Sequence, residues 1–556
     1  MTTVQPDAGA ADQSGAPQDQ TGGRRELIFG LVAPLGVDKD VVVKVLRQAL
    51  SAAGYQLRTI KISTLIREYA RDIDAIKNAE PLHRKRLLMN VGDKLRRDWD
   101  AFNSRTERRG DFGAILAISA IQQLRQRINK ARGVQPEEEQ PLETIPISSA
   151  AYLVDSLKHP DELEYLRRVY GPAFVSIGVY TPPEIRRRDL GLDALDDDDR
   201  KLVEALMKRD EVDTKLGQRV GEAFYGTDFI VDSTEDPDEI RDELVRLVHL
   251  LFGDVFQTPR LAEYGMFLAR AAQARSGSMA RQIGAAILRD DGSVVACGTN
   301  EAAKAVTGGQ YWPDDDAEFH GRDMVYTPKE GAPVRDTSDA FREEMISTVV
   351  EALAKAGVLA GDYSDMTPEK RLKELYTTDG APLRNTRIKD NIDYIRAVHA
   401  EAAAIIDAGR HGVATKGTRM FTSTFPCHEC ARHIVAAGIR QVVYLEPYPK
   451  SATKDLYRDS VALDPTSDDP HRVVFRTFVG VAPPRYLEFF LLGQRLRKQG
   501  DGTKIPIDIA TRAPSLPYYT PSIASVAQAE RVPMRLFKEF TSYITENIGG
   551  LDEQSP

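Results

Sequence analysis

The sequence predicts an α/β protein built from two α/β domains, the first with three layers around a mostly parallel sheet. In the first half of the chain, short apolar runs that suit buried strands alternate with segments of helical periodicity. Such alternation is typical of a parallel sheet covered by helices on both faces. In the second half, a hairpin and a closely spaced strand–helix–strand series follow. The length of 556 residues suits two or three domains of about 150 residues each.

The first domain is predicted over residues 24–253. Residues 1–23 are rich in Gly, Gln, Asp and Ala and are predicted to be a disordered leader. Strands are predicted at residues 26–32, 56–62, 151–155, 173–180 and 228–231. Helices are predicted at residues 38–53, 84–99 and 112–130.

The second domain is predicted over residues 257–500, with an insertion at about 303–390 and a C-terminal extension over residues 501–556. A helix at 260–274 precedes a hairpin that turns at Asp291-Gly292. The hairpin and later strands are predicted at 284–288, 294–299, 419–423, 441–445 and 473–478. The remaining helices are predicted at 338–356, 368–375, 395–408, 429–437 and 525–547.

Composition excludes several classes of protein. Hydrophobic residues make up 42% and charged residues 28% of the chain, an ordinary globular mixture. No apolar stretch approaches the roughly 18 residues that a membrane span needs, and the N-terminus lacks a secretory pattern. Three cysteines cannot form a disulfide framework, and a net charge of −9 disfavours a broad polyanion-binding surface. We therefore expect a cytoplasmic protein with no membrane partner.

Two short motifs carry the chemistry. His399 and Glu401 open a predicted helix, and Cys427 and Cys430 stand three apart behind Pro426. One imidazole and two thiolates give three ligands for a tetrahedral Zn²⁺ and leave the fourth position for water. Glu401 is predicted to be the catalytic residue, because it can take a proton from that water and pass it on. An H-x-E motif followed by P-C-x-x-C is the signature of zinc nucleobase deaminases.

Two other interpretations of the cysteines stay open. A structural zinc site needs a fourth protein ligand, which His428 or His433 could supply, since Cys297 lies far upstream. A C-x-x-C pair can also be a redox pair, but that interpretation needs a thioredoxin-like context and leaves His399 and Glu401 without a role.

At these motifs the sequence resembles the cytidine and deoxycytidylate deaminase superfamily. The likeness extends to residues 280–285 and 297–300 on the hairpin, to residues 422–424 before the cysteines, and to residues 438–451. It implies that Asn300 holds a sugar hydroxyl and that Tyr448 packs near the base, although Tyr448 could instead be a surface turn residue. The substrate contacts implied by the resemblance are Arg281, Asn300, Ala400, Ser423, Thr424, Tyr448 and Lys450.

The insertion is longer than a minimal deaminase needs. It contains Asp314-Asp315-Asp316, His320 and Arg322. We expect a lid or an oligomer-forming element here, because no cysteine accompanies His320 to make a second zinc site.

The first domain offers a degenerate phosphate loop. Gly30 and Gly36 bracket a turn between a predicted strand and helix, where a phosphate-binding loop would lie. Val37 stands where the loop lysine should be, and Lys39 follows two positions later. Asp155 ends a buried strand and could orient Mg²⁺, while residues 186–188 could form a basic lid. The alternative is that these are ordinary turn residues, a helix-capping Asp and a solvated charge run.

The combination resembles the bacterial anti-phage dCTP deaminases, which fuse a P-loop-kinase-like domain to a deoxycytidylate deaminase domain. Residues 152–160 and 169–174 carry the likeness in the first domain. The resemblance implies zinc-dependent deamination of free dCTP and dCMP, which drains the dCTP pool that a phage needs. We also expect a homo-oligomer, and a regulatory nucleotide with Mg²⁺ at Gly30, Gly36, Lys39 and Asp155, because a loop that lacks its lysine suits weak nucleotide binding better than phosphoryl transfer.

Two rival functions remain. A polynucleotide cytidine deaminase would need an extended basic, aromatic-lined channel, which the net charge of −9 and the 7% aromatic content disfavour. A nucleotide-sensing switch with a structural zinc site would leave Glu401 without a purpose. The regulatory partner cannot be identified from the sequence.

Overall fold

The computed structural model describes residues 25–70, 73–103, 110–135, 141–191, 196–211, 218–304, 306, 308–310, 335–390, 394–448, 451–464, 469–493, 495–515 and 523–547. The predicted leader at 1–23 lies outside these residues. Within the described segments, no helix combines the length and the apolar character needed to cross a membrane.

The strands are β1 (Leu27–Val32), β2 (Gln56–Lys61), β3 (Ala150–Asp155), β4 (Phe174–Tyr180), β5 (Phe229–Asp232), β6 (Gly284–Leu288), β7 (Val294–Thr299), β8 (Arg419–Thr424), β9 (Gln441–Glu446), β10 (Val461–Leu463), β11 (Val473–Thr477) and β12 (Gly480–Val481). The α-helices are α1 (Asp40–Ala52), α2 (Ile62–Glu68), α3 (Ile73–Asn78), α4 (Pro81–Phe102), α5 (Phe112–Ala131), α6 (Pro160–Tyr170), α7 (Pro183–Asp189), α8 (Asp197–Glu211), α9 (Val220–Tyr225), α10 (Pro237–Leu251), α11 (Leu261–Gln273), α12 (Thr337–Lys355), α13 (Pro368–Leu372), α14 (Ala400–Arg410), α15 (His428–Ala436), α16 (Thr453–Leu456), α17 (Pro483–Phe490) and α18 (Ile523–Asn547).

The first sheet has the strand order β12-β5-β4-β1-β3-β2. Strands β1 to β5 pair in parallel, which confirms the predicted mostly parallel sheet. Every residue of β1 and β3 is buried, as expected for central strands covered on both faces. Two apolar clusters, one on each face, fill the layers between this sheet and its helices.

Distant parts of the chain complete the first domain. Strand β12 pairs antiparallel with β5, so a segment assigned by sequence to the second domain forms an edge of the first sheet. Helix α18, in the predicted C-terminal extension, packs Phe537 and Phe540 against Trp99. Its buried Glu530 pairs with Arg125 of α5 at 2.8 Å. Segments more than 400 residues apart therefore contribute to one core.

The second sheet has the order β10-β11-β9-β8-β6-β7. The predicted hairpin is confirmed as the antiparallel pair β6–β7, and β8 pairs antiparallel with β6 and parallel with β9. The helix predicted to start at 395 begins only at Ala400, so the five residues 395–399 are not helical. Val398 instead forms an antiparallel bridge with Glu301, which holds the chain extended up to His399.

Candidate metal centre

Three side chains that can bind a metal meet at one edge of the second sheet. His399 is the residue before α14, and Cys427 is the residue before α15, where it accepts a hydrogen bond from the Cys430 backbone N–H at 3.4 Å. Helix α14 lies close to β7, and Gly298 permits this, because a Cβ there would collide with the Ala400 carbonyl. The ends of two helices thus bring the two motifs together.

The donor atoms fit a zinc ion. His399 Nδ1 lies 3.3 Å from Cys427 Sγ and 3.4 Å from Cys430 Sγ. Zinc bonds of about 2.0–2.3 Å in a tetrahedral site place nitrogen and sulfur ligands about 3.6 Å apart. In the described part of the chain, these three residues form the one group with metal-site spacing, and neither His428 nor His433 belongs to it. This geometry favours the three-ligand site over the four-ligand structural alternative.

The metal site uses His399 together with both cysteines, whereas the redox alternative leaves His399 without a role. Cys297, Cys427 and Cys430 are all free thiols. Hydrogen bonds from the Cys430 thiol and from the His399 ring lower the pKa of Cys427 to about 4, although burial acts in the opposite direction. A thiolate poised between a second thiol and an imidazole is what a soft metal ion requires.

Glu401 lies beside the three residues that can bind the metal but is not one of them. It is 3% exposed in the first turn of α14, and its carboxylate accepts a hydrogen bond from the Cys430 thiol at 3.4 Å. Burial, with the neighbouring Cys427 charge second, raises the pKa of Glu401 to about 7. A carboxyl group with a pKa near neutrality can both accept and release a proton, which suits general acid–base work.

A cavity of about 180 Å³ opens onto these residues. His399, Glu401 and Cys427 line it, together with four of the seven predicted substrate contacts: Arg281, Asn300, Thr424 and Tyr448. Ala400 and Ser423 do not line it. Ala400 is buried in the core, and the Ser423 hydroxyl accepts a hydrogen bond from the Gly284 N–H at 3.1 Å. Lys450 lies outside the described residues.

Sequence reasoning missed three parts of the cavity wall. Phe425 precedes Pro426, and residues 395–397 precede His399, so closeness to the motifs could have indicated both. Asp336, Thr337 and Ser338 come from the start of α12 in the insertion. The sequence predicts a helix start there but does not show that it lines the site. Asp314-Asp315-Asp316, His320 and Arg322 lie outside the described residues.

Asn300 has a structural role in addition to its predicted one. Its Oδ1 accepts from the Ile283 N–H at 2.7 Å, and its Nδ2 donates to the Arg281 carbonyl at 2.7 Å. The amide therefore ties the end of β7 to the residues before β6, and its second N–H is the group that can serve a sugar hydroxyl.

We expect Asn300→Ala to impair substrate use by losing a hydrogen bond of about 1–3 kcal/mol, together with the anchor of residues 281–283. The measurement is kcat/KM for a deoxynucleotide beside zinc content. Thr299→Ser, which keeps the neighbouring hydroxyl, is the matched control. An unchanged kcat/KM in Asn300→Ala would show that substrate use needs neither the sugar contact nor the anchor of residues 281–283.

The predicted nucleotide residues of the first domain are only partly brought together. Lys39 forms an ion pair with Asp155 and donates to the Ser156 hydroxyl at 2.8 Å. Gly36 has a φ of +90° in the turn after β1. Gly30 lies inside β1, where a Cβ would meet Leu157 at 2.7 Å, so packing alone accounts for this glycine.

The turn after β1 already has internal partners. The Leu35 N–H donates to Asp210 of α8 at 2.7 Å, and Lys158 pairs with the same carboxylate at 2.9 Å. Arg186, predicted in the basic lid, is buried and pairs with Glu211 at 2.6 Å. Asp210 thus stands at the amide where a phosphate oxygen would bind.

Comparison with known proteins finds a family match in the second half of the chain. Residues 259–446 match the family model of the cytidine and deoxycytidylate deaminase zinc-binding region. A probable deoxycytidylate deaminase of Drosophila melanogaster is 49% identical over 63 residues, which cover 11% of this chain and 29% of that protein. The deoxycytidylate deaminase of Enterobacteria phage T4 is 41% identical over 54 residues, or 10% of this chain and 28% of that protein. The human deoxycytidylate deaminase is 35% identical over 83 residues, or 15% of this chain and 41% of that protein.

The matches to these curated relatives span less than half of their length. Among solved structures, the dCMP deaminase of cyanophage S-TIM5 in complex with dCMP and dUMP is similar with 15% identity and a TM-score of 0.21, covering 40% of this chain and 98% of that one. The C-terminal part of the chain thus contains a cytidine and deoxycytidylate deaminase zinc-binding domain, and His399, Cys427 and Cys430 fit Zn²⁺ within it.

Proposed function

We propose that the protein is a zinc-dependent hydrolytic deaminase of free deoxycytidine nucleotides. One observation carries the proposal: a His–Cys–Cys group with metal-site spacing shares a small cavity with a buried carboxyl group that is not one of the ligands. A structural zinc site does not need a buried proton carrier or a cavity beside it.

The residues divide the work of the reaction, in which water replaces the 4-amino group of cytosine and ammonia leaves. Zinc, when bound, lowers the pKa of a water molecule toward neutrality and so supplies the nucleophile. Glu401 would accept one proton of that water and deliver it to N3 of the base, and would then carry the second proton from the C4 hydroxyl to the amino group, which leaves as ammonia while C4 becomes the carbonyl. Arg281, Asn300 and Tyr448 hold the nucleotide so that C4 of the base faces Glu401.

A free nucleotide suits the cavity better than a polynucleotide does. The start of α12 and residues 395–397 form walls around the space in front of Glu401, and stacking of Phe341 on Tyr394 at 5.5 Å joins these two walls. A strand that passes through an active site needs an open, basic groove on both sides of the reacting base.

The test is a panel of CMP, CTP, dCMP, dCTP and cytosine oligonucleotides incubated with the pure protein, with ammonia and uracil products measured. The proposal expects turnover of dCMP or dCTP and none of the oligonucleotides. Turnover of the oligonucleotides alone would support the rival polynucleotide activity. Absence of any turnover by zinc-loaded protein would favour the nucleotide-sensing switch.

Within this proposal, the substrate is dCTP, dCMP or both, and draining of the dCTP pool is an anti-phage function. This part rests on the resemblance of residues 152–160 and 169–174 to the anti-phage dCTP deaminases. Assembly into a homo-oligomer belongs to the same proposal, and sedimentation of the pure protein tests it.

We further propose that the first domain regulates the second and does not itself transfer phosphoryl groups. Val37 replaces the loop lysine, and Lys39, two positions later, pairs with Asp155 and donates to the Ser156 hydroxyl. A nucleotide bound with Mg²⁺ can regulate the deaminase only if the first domain has two arrangements that bind this nucleotide with different affinity. Displacement of Asp210 from the Leu35 N–H would produce such a second arrangement.

We expect ATP or GTP to alter the deaminase rate without multiple-turnover hydrolysis, and Lys39→Ala to abolish that effect. Deaminase and phosphate-release assays on the full chain measure both. Lys44→Ala, on the next turn of α1, is the control. Sustained phosphoryl transfer would contradict the proposal, as would a deaminase rate that no nucleotide changes.

A further inference from the structure

One side chain joins the two sheets. Asp464 follows β10 of the second sheet, and its Oδ2 accepts a hydrogen bond from the hydroxyl of Tyr180, the last residue of β4 in the first sheet, at 2.7 Å. The same Oδ2 accepts from the Tyr444 hydroxyl of β9 at 3.0 Å. Phenols from both domains therefore share a single carboxylate oxygen.

The structure holds Asp464 firmly in this position. Its Oδ1 accepts from the Thr477 N–H at 2.9 Å, and its own N–H donates to the Phe475 carbonyl at 2.8 Å. Its φ is +38°, a left-handed conformation that aspartate tolerates better than most residues but still at a cost. A strained and partly buried carboxylate persists only where its surroundings require it.

The second phenol leads to the cavity. The Tyr444 ring packs edge-on against the Phe425 ring, with centroids 4.9 Å apart and planes at 84°. Phe425 lines the cavity beside Glu401 and Cys427, and its N–H donates to the Glu446 carbonyl at 2.6 Å. The hydroxyl of Tyr444 is fixed by Asp464 and by the Thr477 hydroxyl at 3.0 Å. A shift of Asp464 would thus move the ring that supports the cavity wall.

We propose that Asp464 is a positioning residue of the deaminase cavity, and that the first domain sets it through Tyr180. The first domain then acts on the substrate site through a series of contacts. The Tyr180 hydroxyl fixes the Asp464 carboxylate, this carboxylate fixes Tyr444, and the Tyr444 ring supports Phe425. The proposal rests on the deaminase function proposed above. It applies whether or not the first domain binds a nucleotide.

Tyr180→Phe removes one hydrogen bond to Asp464 and keeps the ring. Because Phe425 is a wall residue of the cavity, we expect KM for the deoxycytidine nucleotide to rise by about threefold to tenfold, with kcat and zinc content within about twofold of the parent. Tyr55→Phe is the matched control, since it also removes one phenolic hydrogen bond of the first domain, to the Arg25 carbonyl at 2.8 Å, but far from the cavity.

Equal losses of thermal stability in the two variants, with a KM change in Tyr180→Phe alone, would support the proposal. The same KM in both variants would overturn it and leave Asp464 with a purely structural role. A second pair of variants covers the carboxylate itself: Asp464→Asn keeps the shape and tolerates the positive φ, so it should retain a lower KM than Asp464→Ala. Equal KM values for Asp464→Asn, Asp464→Ala and the parent would also overturn it.

Failure of the proposed function gives a different result. If the parent protein deaminates nothing, binding of dCMP tests the positioning role. Calorimetry measures this binding to the Glu401→Gln protein with and without Tyr180→Phe. A dissociation constant that rises with Tyr180→Phe supports the positioning role without any turnover. A constant that does not change contradicts it.

Discussion

Replacing Glu401 by glutamine is expected to lower turnover by several orders of magnitude while zinc stays bound. Glutamine has nearly the same shape, so it can occupy the 3% exposed site in the first turn of α14. An amide cannot accept the proton of water or carry it to the base and to ammonia, and such proton transfer contributes about 10²–10⁴-fold to rates. His399, Cys427 and Cys430 are untouched, so metal binding should persist.

Measuring kcat beside zinc content separates the two roles. Glu429→Gln is the matched control, because Glu429 is the carboxylate in the first turn of the other ligand helix and pairs at the surface with Arg432. We expect this control to keep its rate. A Glu401→Gln protein with more than about a tenth of the parent rate would have lost no more than about 1.4 kcal/mol of transition-state stabilisation, and the proton-carrier role would be wrong.

The metal centre could be predicted from sequence because its parts are local. His399 and Glu401 act from the start of one helix, and Cys427 and Cys430 from the start of another, so each pair is fixed by its own few residues. Only the meeting of the two helices is a long-range event. The resemblance to known deaminases supplied that step, and the donor separations of 3.3 and 3.4 Å agree with it.

The parts that sequence could not predict depend on pairings between distant segments. Strand β12 has two residues, Gly480 and Val481, and nothing in so short a run indicates that it will complete the other domain's sheet. The sequence of α18 predicts a helix but does not show which part of the chain the helix packs against. Glu530 of this helix pairs with Arg125, which lies 405 positions earlier in the chain.

The residues predicted to contact the substrate could be identified only in part from the sequence. Asn300 was identified through resemblance, and the structure adds that its amide holds the backbone of residues 281–283. Ser423 was identified in the same way, yet its hydroxyl faces the Gly284 N–H and not the cavity. A family pattern places a residue near a site, but which way its side chain points depends on packing that one sequence does not reveal.

Removing one thiol ligand is expected to remove the zinc and, with it, all deaminase activity. Cys430→Ala tests this cleanly, because Cys430 lies inside α15 and its loss leaves only His399 and Cys427 as donors. Cys427→Ala would also remove the side chain that accepts the Cys430 N–H at the helix start. Cys427→Ser keeps an acceptor there, since serine is a good residue before a helix, but its hydroxyl is a poor zinc ligand. Both Cys430→Ala and Cys427→Ser should therefore lose metal.

Elemental analysis of the purified variants measures zinc, and ammonia release from dCMP or dCTP measures activity. Cys297→Ala is the control, because this third cysteine is half-buried on β7 and does not belong to the metal-site group, so zinc and activity should both remain. Chelation of the parent protein should abolish activity, and added zinc should restore it in the parent but not in Cys430→Ala. Full zinc occupancy in both ligand variants would disprove the ligand assignment, since two donors cannot hold the ion as three do.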